Sequence, residues 1–241
     1  MVEIGLYPSR EKAKQAIESG RVEVNGQKVT KPALLFDENC TINALPFEFV
    51  SRGGFKLQKA LEEFEINLSG RTVLDVGAST GGFTDVCLQN GAEKVFAVDT
   101  GEGQLVESLR KDGRVVNLEN TNFLTLKKEE LKDVSFVCVD VSFVSLTKLA
   151  WKFAELFADN VNFAGVGSVD IVALIKPQFE CGLQYARKHK GVVKDEKIRQ
   201  KAIKDVVDAF DAVGFKNRGI VTSPIKGGDG NVEFLAWFSS K

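Results

Sequence analysis

Histidine is almost missing from this chain. Its 241 residues contain one, His189, so a histidine-based zinc site has nothing to be built from. That histidine lies in Arg187-Lys188-His189-Lys190, which reads as a solvated basic loop. Cysteine is sparse: Cys40, Cys87, Cys138 and Cys181 are scattered, with no C-x-x-C pair. Such usage points to reduced thiols in a cytoplasmic protein. Charge of either sign is nearly cancelled, and a net charge of −1 leaves no global positive field to draw nucleic acid. Any such attraction has to come from local patches. No apolar run reaches the roughly 18 residues of a membrane span, and no charged-then-apolar leader opens the chain. What is present, 44% hydrophobic and 27% charged residues, is the composition of a soluble globular protein. The length suits one α/β domain plus a small appendage.

The most informative stretch is Thr72 to Asp85, Thr-Val-Leu-Asp-Val-Gly-Ala-Ser-Thr-Gly-Gly-Phe-Thr-Asp. It reads as a short apolar strand, a turn of small residues and a helix start. Gly77, Gly81 and Gly82 let a ligand approach the backbone, and the helix start offers unpaired N–H groups. Asp75, near the strand end, adds a carboxylate. No lysine follows the glycines as in a phosphate loop, and Gly77-Ala78-Ser79 breaks the dinucleotide spacing. A nucleoside-type cofactor without a pyrophosphate fits better.

Residues 1–46 form a separate small unit, 47–50 a linker and 51–241 the main domain. Ser9 is a plausible N-cap for a helix that Gly20 stops. Val22 and Val24 then alternate with charged residues, and Asn25-Gly26 is a two-residue hairpin turn. Arg10, Lys12, Lys14, Arg21, Lys28 and Lys31 make the helix and hairpin basic, though acidic residues are nearly as numerous there. Further on, strands at 72–76, 94–98, 115–117, 134–139 and 169–175 alternate with helices from 51 to an end near 67–70 and near 82–90, 104–109, 145–157 and 194–213. Strands at 216–222 and 231–238 close the chain without a helix between them. This pattern predicts a Rossmann-like α/β domain of the seven-stranded methyltransferase kind, parallel with a terminal antiparallel pair.

Ligands of such sheets bind at the carboxyl ends of the strands, so polar residues there are the candidates. Asp99 ends the second strand of this domain, where an acidic side chain binds ribose hydroxyls; the plain alternative is a turn residue. Asn122 follows the third and is either an adenine contact or an ordinary turn residue. Asp140 follows an apolar strand, Lys176 abuts another, and Glu233 interrupts the apolar run from Val232 to Phe238. A lysine against a fully apolar strand is costly without a partner. Any one of these fits an ordinary edge; together they point to a shared polar centre. Lys56, read alone, is solvent-exposed.

Ser-Arg-x-x-Ala-x-x-x-Ile-x-x-Gly-x-Val-x-Val-Asn-Gly, from Ser9 to Gly26, resembles the alpha-L RNA-binding motif of ribosomal and pseudouridine-synthase type proteins. The resemblance implies a helix and turn that lie against folded RNA, with Ser9, Arg10, Lys12, Lys14, Arg21 and Lys28 at the contact. Such modules open with a further short helix, so the reading expects an opening shortened at its N-terminus. Five ordered motifs in the rest of the chain resemble the FtsJ-like ribose methyltransferases. They are Ser51-Arg52-Gly53-Gly54-Phe55-Lys56-Leu57, the Asp75 to Asp85 loop, Asp140-Val141-Ser142-Phe143, Leu174-Ile175-Lys176-Pro177-Gln178-Phe179-Glu180, and Ser223 to Gly228 with Asn231-Val232-Glu233-Phe234. With the N-terminal module, the whole is similar to the TlyA family, whose members often carry a haemolysin label and methylate ribose 2′-hydroxyls in ribosomal RNA.

The resemblance implies a catalytic set of Lys56, Asp140, Lys176 and Glu233. Lys176 would act as base or stabilise the alkoxide, Asp140 would orient it, and Lys56 and Glu233 would position the ribose. It implies S-adenosylmethionine held by Asp75, Gly77, Ser79, Gly81, Gly82, Asp99, Asn122 and Asp140, with Phe83 packing nearby. No metal is expected, because a sulfonium is already an activated methyl donor. The partner implied is ribosomal RNA or a ribosomal subunit, by family analogy at a cytidine. Two rival readings are a membrane-active haemolysin, opposed by the lack of a leader or span, and a silent RNA-binding ribosome-assembly factor, opposed by the filled catalytic positions.

Overall fold

The computed structural model describes residues 1–7, 10–18, 20–44, 48–157, 168–182, 185, 189 and 191–240, without the side chains of Lys12 and Gln15. Ser9, the Lys12 side chain, residue 47 of the expected linker and much of the basic loop at 187–194 lie outside these residues. The chain forms two compact units, Met1–Glu48 and Phe49–Lys241.

In the first unit, helix α1 (Arg10–Glu18) is followed by strands β1 (Val22–Val24) and β2 (Gln27–Val29). Asn25 and Gly26 both take positive φ, 52° and 76°, as a tight hairpin whose twist matches its strands requires. A third strand, β3 (Ile42–Ala44), which the sequence pattern does not reveal, pairs with β1. Tyr7, Ala13, Ala16, Val22, Val24 and Val29 make the small core. Arg10, Lys14 and Lys28 are exposed, whereas Arg21 forms an ion pair with Glu48 at 3.3 Å.

The second unit is a seven-stranded sheet in the order β6-β5-β4-β7-β8-β10-β9. Its strands are β4 (Thr72–Val76), β5 (Lys94–Val98), β6 (Val115–Leu118), β7 (Val134–Val139), β8 (Asp170–Ile175), β9 (Phe215–Thr222) and β10 (Phe234–Ser240). All pair in parallel except β10, which runs antiparallel to both neighbours. Every residue of β7 is buried, as both faces of a central parallel strand must be.

Side-chain alternation divides the core between the two faces. Leu74, Val76, Val137, Val139, Ile171 and Ala173 pack on one side with α5 (Ala150–Phe157) and α7 (Glu196–Ala212). Val73, Ala97, Phe136, Cys138, Val172 and Leu174 pack on the other with α2 (Gly54–Glu63) and α3 (Gly82–Gln89). Two short helices, α4 (Glu107–Arg110) and α6 (Pro177–Glu180), complete the set named here.

Three expected elements shift. Helix α4 starts later than 104 because the N–H groups of Gln104 and Leu105 donate to the Glu119 carboxylate, at 2.5 and 2.9 Å, and stay outside the helix. The helix expected over 145–157 divides into a 3₁₀ turn, Leu146–Lys148, and α5; Ser145 caps the turn by accepting from Thr147 N–H. Strand β10 starts at Phe234, so Glu233 precedes the strand rather than interrupting it. Backbone bonds from Gly227 N–H to Asn231 O and from Ser223 N–H to Glu233 O, both 2.9 Å, draw residues 227–233 into a turn instead.

Candidate active site

The strand order reverses between β4 and β7, which places their carboxyl ends side by side at the switch point where open α/β sheets bind ligands. Asp140 N–H donates to Val76 O at 2.9 Å and locks the two ends together. Gly77 makes this approach possible. It has φ +87°, and a Cβ there would lie 2.4 Å from the Asp140 carbonyl oxygen.

Over this junction lies a cavity of about 540 Å³, within the size range of small-molecule sites. Gly77, Ser79, Asp99, Asn122 and Asp140 line it. The Asp99 carboxylate is fixed by two backbone donors, Ser79 N–H at 2.8 Å and Gly101 N–H at 2.7 Å. Ser79 is held at φ +48° in that contact. The Asn122 Oδ1 accepts from Leu124 N–H, which holds that residue at the rim. A rigid carboxylate on one side and apolar Val76, Val98 and Leu149 beneath give the polar and apolar pair that a nucleoside needs.

Four of the residues expected around the cofactor are not among those lining this cavity. Asp75 shares the face of Val73, is fully buried, and accepts from the Thr84 hydroxyl at 2.6 Å. Its other oxygen has no hydrogen-bond partner among the described residues, and burial pushes its carboxyl up to about 7. Gly81 abuts Leu105 and Leu109, and Gly82 abuts Ser51 and Gly54, so both serve helix packing. Phe83, 3% exposed, belongs to the α2–α3 core.

Lys56 (on α2), Asp140 (after β7), Lys176 (after β8) and Glu233 (before β10) converge from four elements. Lys56 Nζ is 2.7 Å from Glu233 Oε2 and 4.0 Å from Asp140 Oδ2. Lys176 Nζ is 2.6 Å from Asp140 Oδ1, an ion pair lying off the hydrogen-bond direction. It donates to Ser142 Oγ at 2.9 Å. Lys56, Lys176 and Glu233 are all buried, so Lys56 is not the solvent-exposed residue its sequence context suggests. Two lysines against two carboxylates balance in charge, which is what makes burial of three of the four tolerable.

A second cavity of about 910 Å³ opens onto Lys56, Lys176 and Glu233. Ser142, Phe143 and Val144 line both cavities and form the wall between them. Phe143 is 92% exposed at φ +66°, with its ring 5.3 Å from that of Phe179. Sequence reasoning singled out neither Ser142 nor Phe143 as a site residue. The available signal was a bulky aromatic placed directly after a strand-end aspartate.

The model of the FtsJ-like methyltransferase family matches residues 49–240, and that of the S4 domain matches residues 1–39. The chain belongs to the FtsJ-like methyltransferase family. It is 39% identical over its full length to the 16S/23S rRNA (cytidine-2′-O)-methyltransferase TlyA of Mycobacterium tuberculosis, covering 88% of that protein. A solved chain from Streptococcus thermophilus that carries a hemolysin label is 38% identical with a TM-score of 0.75, over 99% of this chain and 86% of that one. Magnesium protoporphyrin IX methyltransferase from Synechocystis, solved with SAH, shares the fold at 14% identity and TM-score 0.53, over 79% of this chain and 83% of that one. Among the described residues no helix is long and apolar enough to cross a membrane.

Proposed function

We propose that this protein transfers a methyl group from S-adenosylmethionine to the 2′-hydroxyl of a cytidine ribose in ribosomal RNA. The observation that carries the reading is a pair of cavities sharing the wall Ser142 to Val144, with Asp140 lining one and Lys56, Lys176 and Glu233 lining the other. Gly77, Ser79, Asp99, Asn122 and Asp140 would hold the cofactor, which supplies a sulfonium-activated methyl group. The residues present suit it: a fixed carboxylate for ribose hydroxyls, and no lysine or arginine among the described residues that line the cavity.

A ribose hydroxyl is a weak nucleophile, so transfer depends on removing its proton and on in-line alignment. Lys176 takes that proton, and Asp140 Oδ1 and Ser142 Oγ hold its Nζ. Lys56, paired with Glu233 at 2.7 Å, stabilises the developing alkoxide. The exposed Phe143 ring offers a stacking face for the target base at the mouth of the second cavity. The first unit, with Arg10, Lys14, Arg21 and Lys28 on helix and hairpin, serves as the RNA-binding module.

The test is to incubate purified protein with labelled S-adenosylmethionine and ribosomal subunits from cells lacking it, then map 2′-O-methylation. The expected result is label at a cytidine ribose that disappears in Lys176→Ala. Label on a base, or none on any ribosomal substrate, overturns the assignment.

A further inference from the structure

We propose that Glu180 is a positioning residue for the transfer site, pinning the wall between the two cavities where Ser142 Oγ accepts a hydrogen bond from Lys176. The inference rests on the functional reading above for its kinetic consequences, but its geometry stands alone.

The hydrogen-bonded ladder between β7 and β8 ends at the pair Val139 and Ala173. Beyond it, residues 140–147 and 176–180 leave the sheet together, and their mutual position is set by side chains. Three successive contacts join them. Lys176 reaches Asp140 and Ser142, and the ring of Phe179 meets that of Phe143. Glu180 closes the series: its Oε2 accepts from the Ser145 hydroxyl at 2.5 Å and its Oε1 from Leu146 N–H at 2.9 Å.

The last contact anchors the far end of the wall. Ser145 is also the cap of the 3₁₀ turn that follows, so Glu180 fixes where the wall stops and the core begins. Lys176 at one end and Glu180 at the other thus bracket Ser142, Phe143 and Val144. Releasing either end lets those three residues drift relative to the lysine.

Stability alone is a poor reason for this carboxylate. Burial pushes the Glu180 carboxyl up, and no cation among the described residues forms an ion pair with it. Neutral donors carry its compensation, and a carboxylate compensated that way is costly to bury. A neutral cap would hold the turn at lower cost. What the carboxylate adds is a two-point grip on adjacent donors, one a side chain and one the backbone.

The experiment compares Glu180→Gln, Ser142→Ala and the double variant, with Ser145→Ala as a second probe should Glu180→Gln fold poorly. An amide cannot accept at both of its atoms, so the grip becomes single. Expected for Glu180→Gln are a kcat about tenfold lower at saturating substrates, S-adenosylmethionine affinity within about twofold of the parent, and a double variant no slower than Ser142→Ala alone. Losses that multiply in the double variant, or a parental kcat in Glu180→Gln, overturn the proposal. A crystal structure of Glu180→Gln gives a readout independent of substrate. Separation of Ser142 Oγ from Lys176 Nζ beyond about 3.5 Å supports the inference, and an unchanged 2.9 Å contact overturns it even if ribosomal RNA is not the substrate.

Discussion

Lys176 Nζ lies 2.6 Å from Asp140 Oδ1, although neither residue belongs to the strands whose adjacency brings them together. β7 ends at Val139 and β8 at Ile175, and each is followed at once by a charged residue. Two charges placed this way are held by the rigid sheet while remaining open to the cavities above it. Replacing Asp140 with asparagine keeps the shape and removes the charge that holds the lysine. The expected outcome is a kcat lower by about 10²–10³-fold, measured as methyl incorporation at saturating substrate, with the thermal transition retained. Lys176→Met should lose at least as much. An Asp140→Asn enzyme within threefold of the parent would remove the ion pair from the mechanism.

Phe143 invites a different test, because the residue is 92% exposed and takes little part in the core. Phe143→Ala should shift the melting temperature by no more than about 2 °C, as expected for a surface change. Its effect should fall on RNA: KM raised or kcat lowered by about tenfold, the scale of one lost base–aromatic stack. Phe143→Tyr keeps a stacking face and should restore most of the activity. Equal activity in the alanine and tyrosine variants would show that the ring does not meet a base.

The contrast between what was legible and what was not follows from which forces act locally. β4, β5 and β7 could be read to the residue, since a strand buried on both faces must be a short apolar run bounded by turn residues. The lateness of β10 could not: Asn231, Val232 and Glu233 suit a strand until the turn from Gly227 claims their backbone. Asp75 was placed at a cofactor because it lies near the end of an apolar strand and inside a motif of the family it resembles. The face it lies on depends on Thr84 of α3, which no local pattern specifies. Phe83, expected only to pack near the cofactor, lies in the α2–α3 core, since a residue one position from a helix start can point to ligand or core. Lys56 offered no signal beyond family resemblance, since the charge that keeps it buried, Glu233, lies 177 residues away. Ser142 and Glu180 stand inside two of the family motifs but carried no role there, because their roles exist only between two loops.

Gly77 should tolerate no side chain. At φ +87° an alanine is strained, and its Cβ would sit 2.4 Å from the carbonyl oxygen of Asp140. Gly77→Ala is expected to cost about 1–3 kcal/mol of stability and, by pushing Asp140 away, to lower both S-adenosylmethionine affinity and rate. Gly113→Ala is the control, since a Cβ there meets nothing within 4 Å. Calorimetric titration of the cofactor against both variants separates them. If Gly77→Ala binds as the control does, the close approach of the two strand ends has no bearing on the cofactor site.

Asp75 makes the stability of the fold depend on pH in an unusual direction. Its carboxyl is raised to about 7 by burial in the folded chain, against roughly 3.9 in an unfolded one. Between those values the folded state holds a proton that the unfolded state has released. The associated stability is fully present below about pH 4 and is lost as pH rises toward 7, by an amount on the order of 4 kcal/mol. Most carboxylates in ion pairs act oppositely, so the total curve will mask the effect. The difference between Asp75→Asn and the parent isolates it, because asparagine cannot ionise. Denaturant unfolding from pH 4.5 to 9 should find the asparagine variant gaining steadily on the parent, then running level above about pH 8. A difference that stays constant across this range would mean that Asp75 is already ionised in its buried place, and that the Thr84 hydroxyl and the surrounding backbone compensate its charge in full.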